Sequence, residues 1–236
     1  FRSAVGRMKD IKSEEQMVQL RELQAKAALE QAEAALTEPG AAPLPVFPSS
    51  ATRTTLFPSS APATEPSVLP ELVPLYEQNP DLAGWLSIKG TVIDYPVMFR
   101  PEDEDYYLTH NFDGEKDKNG ALLIQAGCDP FTPGGNTIIH GHNMKNGGMF
   151  GSLEAYKDEA YGKEHPVIRF DTLYDRGEYE IVAVFLSKVY RKNDDAFRYY
   201  QFFGADTEAK FDEFYANVKA LSLYDTSVTA KYGDSF

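Results

Sequence analysis

Cysteine is nearly absent from this sequence, since Cys128 stands alone among 236 residues. The chain therefore forms no internal disulfide, although one cysteine fits both a cytosolic protein and an exported bacterial protein that avoids disulfides. Long apolar runs are absent too, and none reaches the roughly 18 residues that a membrane-spanning helix needs. The sequence begins at Phe1 rather than methionine. We therefore interpret it as a fragment or a processed form, with any upstream signal or anchor outside the printed residues.

Cationic side chains are scarce relative to anionic ones. Lysine and arginine together number 23 against 36 aspartates and glutamates, which gives a formal net charge of -13. This balance argues against a nucleic-acid partner, because phosphate binding needs clustered cations. Hydrophobic residues make up 42% and aromatic residues 13% of the chain, which is enough for one packed domain with additional segments.

The first 70 residues predict a helix followed by a linker. Residues 10–36 are rich in Ala, Leu, Glu, Gln and Lys, which favour a helix, and Ser13 with Gln16 has the spacing of a capping box. We predict a helical spacer over 1–36, and both a solvated helix and a coiled-coil or partner-binding helix fit this segment. Residues 37–70 are dominated by Pro, Ala, Ser and Thr. They predict a disordered linker, because they have little apolar surface to offset the entropy of ordering.

Residues 71–236 predict a mainly β domain. A short helix over 70–78 precedes short strand-like runs separated by turn residues, which are typical of an all-β barrel or sandwich. In residues 204–223 the apolar side chains recur at steps of three and four, which predicts an amphipathic helix inserted between strands. The predicted strands are 84–88, 92–97, 121–125, 137–140, 167–170 and 179–187.

Two histidines stand out in residues 136–144, which read Asn-Thr-Ile-Ile-His-Gly-His-Asn-Met. His140 and His142 are two positions apart, a spacing that places side chains on one face of a strand. Packed or surface histidines, a metal site and a general acid/base all fit this pattern. A metal site needs further ligands, and His110 and His165 have no supporting spacing. A general base is favoured by the glycine break, because the ring then lies where a strand opens into a loop.

Eight short runs between residues 84 and 203 form a recognisable series: 84–88 (GWLSI), 90–97 (GTVIDYPV), 107–108 (YL), 111–115 (NFDGE), 118–123 (KNGALL), 136–144 (NTIIHGHNM), 149–153 (MFGSL) and 197–203 (FRYYQFF). They include the opening strands, the histidine segment and an aromatic stretch before the inserted helix. Taken together and in this order, they resemble a class B sortase, and the resemblance extends from about residue 71 to residue 236.

This resemblance implies a β-barrel cysteine transpeptidase with no cofactor and no metal. Such enzymes are held by a single membrane pass on the extracellular face of a Gram-positive-type bacterium. They cut the sorting signal of a surface protein after a threonine, form a thioester, and join the new carboxyl end to an amine of peptidoglycan or of a pilin. By the motif, His142 is the catalytic histidine, and His140 stands where the family commonly carries tyrosine.

In the family, a nucleophilic cysteine and then an arginine follow the inserted helix, and neither motif is found among these 236 residues. Residues 232–236 resemble the lead-in to the cysteine strand, so we expect a chain truncated before both, with its C-terminal strands missing and the fragment itself inactive. A natural pseudoenzyme or a non-enzymatic cell-surface binding module is the alternative. Cys128 lies in a turn beside Asp129, whose charge would raise the pKa of the thiol, so we expect a bystander.

Two further residues are candidates by their position in the family's pattern. Leu108 and Phe197 correspond to the groove that receives the sorting signal, with ordinary packing as the alternative. Arg191, Lys192 and Arg198 lie near this region, but they precede the expected nucleophile strand. We therefore do not expect any of the three to be the catalytic arginine.

Overall fold

The computed structural model describes residues 2–37, 67–132, 135–188, 190, 193 and 196–235. In these residues, six strands form one mixed sheet in the order β4-β3-β2-β1-β5-β6. Only the pairing of β2 with β3 is parallel within this described sheet, and the other neighbours are antiparallel. The strands are β1 Leu82–Ser87, β2 Asp94–Met98, β3 Leu122–Ile124, β4 Ile139–His140, β5 Val167–Thr172 and β6 Arg176–Glu180.

The sheet separates two hydrophobic clusters. The first contains Leu86, Val97, Ile124 and Phe170, and the second contains Trp85, Met98 and Leu123 on the opposite faces of the same strands. Both faces of β1 and β2 are thus covered, which explains why these strands read as nearly continuous apolar runs. The six-stranded sheet with its accompanying helices agrees with the prediction of a mainly β domain with added helices.

Four α-helices accompany the sheet in the described residues: α1 Arg2–Thr37, α2 Val73–Gln78, α3 Glu159–Glu164 and α4 Glu208–Leu221. Helix α4 is the inserted helix that the sequence predicts, and it begins where the Thr207 side chain accepts a hydrogen bond from the backbone N–H of Lys210. Such a side-chain cap satisfies one of the unpaired donors of the first turn. Helix α2 matches the helix predicted over 70–78.

The prediction of a strand over 179–187 is wrong in most of its length. Strand β6 ends at Glu180, and residues 181–188 have no regular secondary structure. The reason lies in the partners of their backbone groups. The N–H of Val184 donates to the Ser222 hydroxyl, while its carbonyl accepts from the N–H of Leu223. The end of α4 therefore takes the place of a neighbouring strand here.

Helix α1 also differs from its prediction. It begins at Arg2, so Ser13 lies in the helix interior and does not cap its start. The helix is not a spacer solvated along its whole length, because Leu20 is only 4% exposed and packs in the second cluster. The Arg21 guanidinium also reaches the sheet, where its Nε lies 2.9 Å from the carbonyl oxygen and 3.2 Å from Oδ2 of Asp94.

Most of the predicted linker, residues 38–66, lies outside the described residues. Its end belongs to the folded domain: the N–H of Leu69 donates to the carbonyl of Leu173 at 2.6 Å, and Val68 and Leu69 pack against the second cluster. Val68 and Leu69 are thus packed on the domain, which extends a few residues upstream of Glu71. Within the described residues, no helix combines the length and hydrophobicity needed to span a membrane.

Candidate active site

Strand β4 delivers the two histidines to one edge of the sheet. His140 pairs with Leu123 of β3, and the strand ends there. Gly141 follows, and a side chain at this position would overlap Leu122 Cδ2 and lie 2.7 Å from Phe150 Cδ2. Only glycine therefore lets the chain turn this close to the core. The following loop, residues 143–149, brings Phe150 back beside this turn, where its N–H donates to the carbonyl of His142 at 3.0 Å.

The partly buried ring of His142 is held by one main-chain group. Its Nε2 lies 2.7 Å from the carbonyl oxygen of Leu108. A carbonyl only accepts hydrogen bonds, so Nε2 carries a proton and donates it. In the neutral ring the lone pair is then on Nδ1, because each neutral imidazole has one donor and one acceptor nitrogen. The contact thus fixes the tautomer and assigns Nδ1 as the nitrogen that can take up a proton.

The Leu108 carbonyl is itself fixed by a tightly folded loop. Leu108 ends the 3-10 turn Tyr106–Leu108, and the Tyr107 carbonyl accepts a hydrogen bond from the N–H of Ala121 at 2.9 Å. Gly120 makes this closure possible: its φ is +60°, and a side chain there would overlap the Tyr107 oxygen and lie 2.9 Å from the Leu108 oxygen. The hydroxyl of Tyr107 also donates to Asp81 Oδ2 at 2.8 Å. Burial raises the pKa of this hydroxyl far above its ordinary value, so it remains a donor.

His140 has a different environment. Its Nε2 lies 2.9 Å from Gln125 Oε1, so the two histidines have separate hydrogen-bond partners. The residue as a whole is exposed, but its ring is covered enough that burial lowers the pKa of the imidazole from its ordinary 6.5, while the Glu104 carboxylate opposes this shift. The neutral form is therefore favoured near pH 7.

Cys128 is buried, with 6% of its surface exposed. Its Sγ accepts a hydrogen bond from the N–H of Ile138 at 3.4 Å, and burial raises the pKa of the thiol. The prediction that the Asp129 charge raises this pKa is wrong, because burial is the cause. The Asp129 carboxylate instead accepts hydrogen bonds from Thr132 and from the N–H of Phe131. A buried thiol without a cation beside it is a poor nucleophile.

An apolar cavity of about 630 Å³, which the sequence did not predict, opens beside the histidine strand. It lies between the inner face of the sheet, residues 181–185 and helix α4. The signal for it in the sequence is the spacing of two residues between Ile168 and Phe170 and between Tyr179 and Ile181. Side chains two apart share one face of a strand, so these apolar residues point to a common apolar surface. The principal aromatic side chains that line it are Phe150, Phe170, Tyr179, Phe185, Tyr199 and Phe214.

Comparisons with known proteins give one consistent result. No protein-family model matches the chain. Sortase B of Listeria monocytogenes is 35% identical over 158 residues, which cover 67% of this chain and 61% of that protein. Sortase B of Staphylococcus aureus is 28% identical over 118 residues, which cover 50% of this chain and 48% of that protein. The chain thus spans between about half and three fifths of the length of these curated relatives.

Solved structures agree with these relatives. The structure of Listeria monocytogenes sortase B has a TM-score of 0.58 at 34% identity, and the match covers 68% of this chain and 87% of that chain. A Staphylococcus aureus sortase B–substrate complex has a TM-score of 0.70 at 19% identity, covering 95% of this chain and 85% of that chain, and it shares the fold. The chain belongs to the class B sortase family. The resemblance found in the sequence is therefore confirmed.

The remaining candidates of this class B sortase have different surroundings. Leu108 lies at the site, but through its carbonyl, while its side chain packs against the second cluster. Phe197 packs against helix α4, with its ring centroid 5.7 Å from that of Phe214. Arg198 precedes the 3-10 turn Tyr199–Gln201, and Arg191 and Lys192 lie outside the described residues. The roles proposed for Leu108 and Phe197 in substrate binding remain predictions.

The described part of this sortase gives no support for the metal interpretation of the histidines. Within it, no three side chains of His, Cys, Asp or Glu come together in a group that could hold an ion. The contacts of His140 with Gln125 and of His142 with Leu108 account for one nitrogen of each ring. The arrangement instead suits proton transfer, because the Nδ1 atom of His142 is left as the basic nitrogen of a ring held in one orientation.

Proposed function

We propose that this chain belongs to a cysteine transpeptidase that cleaves a sorting signal after threonine and joins the protein to a cell-wall or pilin amine. The observation that carries the proposal is the hydrogen bond from His142 Nε2 to the Leu108 carbonyl. It holds the one histidine that the family motif assigns to proton transfer, in the tautomer that leaves Nδ1 basic. Membership in the class B sortase family supports the same activity.

In the proposed first step, a thiolate attacks the threonine carbonyl and the carbon–nitrogen bond breaks, which gives a thioester and releases an amine. The protonated His142 donates its Nδ1 proton to that leaving amine. In the second step an acceptor amine attacks the thioester, the carbon–sulfur bond breaks, and Nδ1 takes the proton that the new amide loses. Cysteine returns as the thiolate.

The Leu108 carbonyl has a defined part in this cycle. Nε2 donates to it both in the neutral ring and in the imidazolium, because both nitrogens of the charged ring carry protons. The ring therefore keeps one orientation while it alternates between acid and base. The carbonyl dipole also stabilises the positive charge that appears on the ring, as a fixed partner that needs no reorganisation during the reaction.

Cys128 is not the proposed nucleophile. Its Sγ is buried and accepts the hydrogen bond from Ile138, and its raised pKa opposes formation of a thiolate. The test of function is therefore made on protein of the full native reading frame. A sorting-type peptide that contains threonine and an amine acceptor are added, and the acyl-enzyme and the transpeptidation product are followed by mass spectrometry.

Three variants make this test specific. His142→Ala should lower turnover by about 10²- to 10⁴-fold, the range for loss of general acid/base catalysis. His140→Ala is the matched histidine control and should leave turnover near that of the wild type, as should Cys128→Ala. Equal turnover in the wild type and the His142 variant contradicts the role given to that ring. Loss of the acyl-enzyme in Cys128→Ala contradicts the exclusion of this thiol.

The proposal extends to partners and location. The partners are a sorting-signal peptide and an amine of peptidoglycan or of a pilin, and a neighbouring solved structure of a sortase B–substrate complex supports the first of them. The place of action is the extracellular face of the plasma membrane of a Gram-positive-type bacterium, where a single-pass anchor holds the protein. If the native protein binds the peptide but forms neither adduct nor product, the alternative of a non-enzymatic binding module is favoured instead.

A further inference from the structure

Helix α1 contacts the loop that carries the Leu108 carbonyl. The loop comprises residues 106–120, and α1 reaches it at two points. The Ser13 hydroxyl accepts a hydrogen bond from Asn119 Nδ2 at 3.2 Å, and Gln16 Nε2 donates to the carboxylate of Asp113. Ser13 and Gln16 are three residues apart, so they lie on one face of the helix. Both contacts join segments about 100 residues apart in the sequence.

The contact at Asn119 is close to the group that holds His142. Asn119 is buried, and the next residue, Gly120, has its Cα against the carbonyl of Leu108. The N–H of Ala121 then closes the loop on the Tyr107 carbonyl. A Cβ built on Gly120 would lie 2.9 Å from the Leu108 oxygen, so the two stretches of backbone run close together here. We therefore expect a movement of residues 119–121 to reach the carbonyl that accepts from His142.

We propose that helix α1 is a positioning element for the histidine, and that Ser13 and Gln16 set the orientation of the His142 ring through the 106–120 loop. The consequence for catalysis rests on the proposed function, whereas the effect on the ring does not. Neither Ser13 nor Gln16 touches the reacting atoms. Both act through Asn119 and Asp113 on the main chain that fixes the Nε2 contact.

The two contacts can be removed without releasing the helix. Leu20 and Arg21 anchor α1 independently, on the second cluster and on Asp94 of β2. Alanine has a higher helix propensity than serine or glutamine, so alanine at both positions also keeps the helix formed. The double variant Ser13→Ala/Gln16→Ala thus deletes the link to the loop and keeps the docked helix.

The experiment compares this double variant with Glu14→Ala/Val18→Ala, which changes two exposed residues of the same helix; Val18 is 49% exposed. The first readout is the ¹⁵N NMR spectrum of the His142 ring, which reports the fraction of the ring protonated on Nε2. The second is kcat and KM on protein of the full native reading frame. Melting curves of all variants report whether each one remains folded.

In Ser13→Ala/Gln16→Ala we expect the neutral His142 ring to lose its single Nε2–H tautomer and kcat to fall about two- to tenfold, the range for one hydrogen bond. KM should stay near the wild-type value, and Ser13→Thr, which keeps the hydroxyl, should retain the wild-type spectrum. The control variant should match the wild type throughout. A wild-type tautomer population in the double variant overturns the inference. If even wild-type protein shows no turnover, the proposed function fails, and the NMR comparison still decides the role of α1.

Discussion

Gly141, the turn between the two histidines, should tolerate a single added methyl group poorly. In Gly141→Ala the new Cβ would overlap Leu122 Cδ2 and lie 2.7 Å and 2.9 Å from two ring atoms of Phe150. Leu122, which makes the shortest of these contacts, cannot withdraw freely because it is fully buried between two strands. The main chain between the two histidines must therefore shift.

The cost follows from two opposing effects. Overpacking a well-packed core by one carbon destabilises a protein by about 1–3 kcal/mol. Replacing glycine by alanine also restricts the unfolded chain, which returns about 0.4–1 kcal/mol. The net loss in free energy of unfolding should be about 1–2 kcal/mol, which for a domain of this size lowers the Tm by roughly 2–8 °C.

A matched substitution separates the overlap from the general effect of alanine. A Cβ on Gly135 would meet its nearest atom at 3.6 Å, which is ordinary contact, so Gly135→Ala carries the same gain without the overlap. Thermal unfolding followed by circular dichroism should show a lower Tm for Gly141→Ala than for Gly135→Ala. Equal Tm values for the two variants would refute the claim that the turn at Gly141 is closed to a side chain.

Two further predictions concern charge. Arg176→Met should destabilise the domain by about 1–3 kcal/mol in a urea titration. The Glu71 side chain, which is 7% exposed, loses the guanidinium that donates to its Oε1 and becomes an unsatisfied buried acceptor. The control Lys163→Met removes an exposed partner of Glu159 and should change stability by about 0.5 kcal/mol or less. His140 should titrate below pH 6.5 in an NMR experiment, since burial disfavours its charged form. Its pKa is then lower in the folded than in the unfolded protein. Its contribution to stability is therefore present above pH 6.5 and lost as the pH falls below that value. A midpoint at or above 6.5 would contradict this.

The sequence was informative where local pattern and packing agree. Strand β1 and helix α4 were found at nearly their observed positions, because an apolar run bounded by turns and an apolar repeat of three and four have few other solutions. The strand predicted over residues 179–187 was wrong because local pattern and packing disagree there. Their alternation indicates a strand, but a strand also needs a partner, and the end of α4 supplies those hydrogen bonds instead.

Helix α1 shows a different limit. Its composition gave the helix correctly, but composition does not tell whether one short stretch packs on a surface formed by residues far along the chain. Arg21 contacts Asp94 of β2, 73 residues later in the sequence, and Leu20 packs in the second cluster. Among residues 13–35, whose side chains the structure describes, about three turns take part, so this apolar stripe is too short to stand out in the sequence.

The candidate site combines both situations. His142 was identified by a family motif, which depends on side chains and can be read from the sequence. The group that gives the ring its chemistry is a main-chain carbonyl, and every residue carries one, so no residue type announces it. Gly120 was the available signal in the sequence. In the structure its φ is +60°, and it lies where two stretches of backbone approach too closely for any side chain. The orientation of the histidine therefore depends on a glycine that takes no part in the reaction.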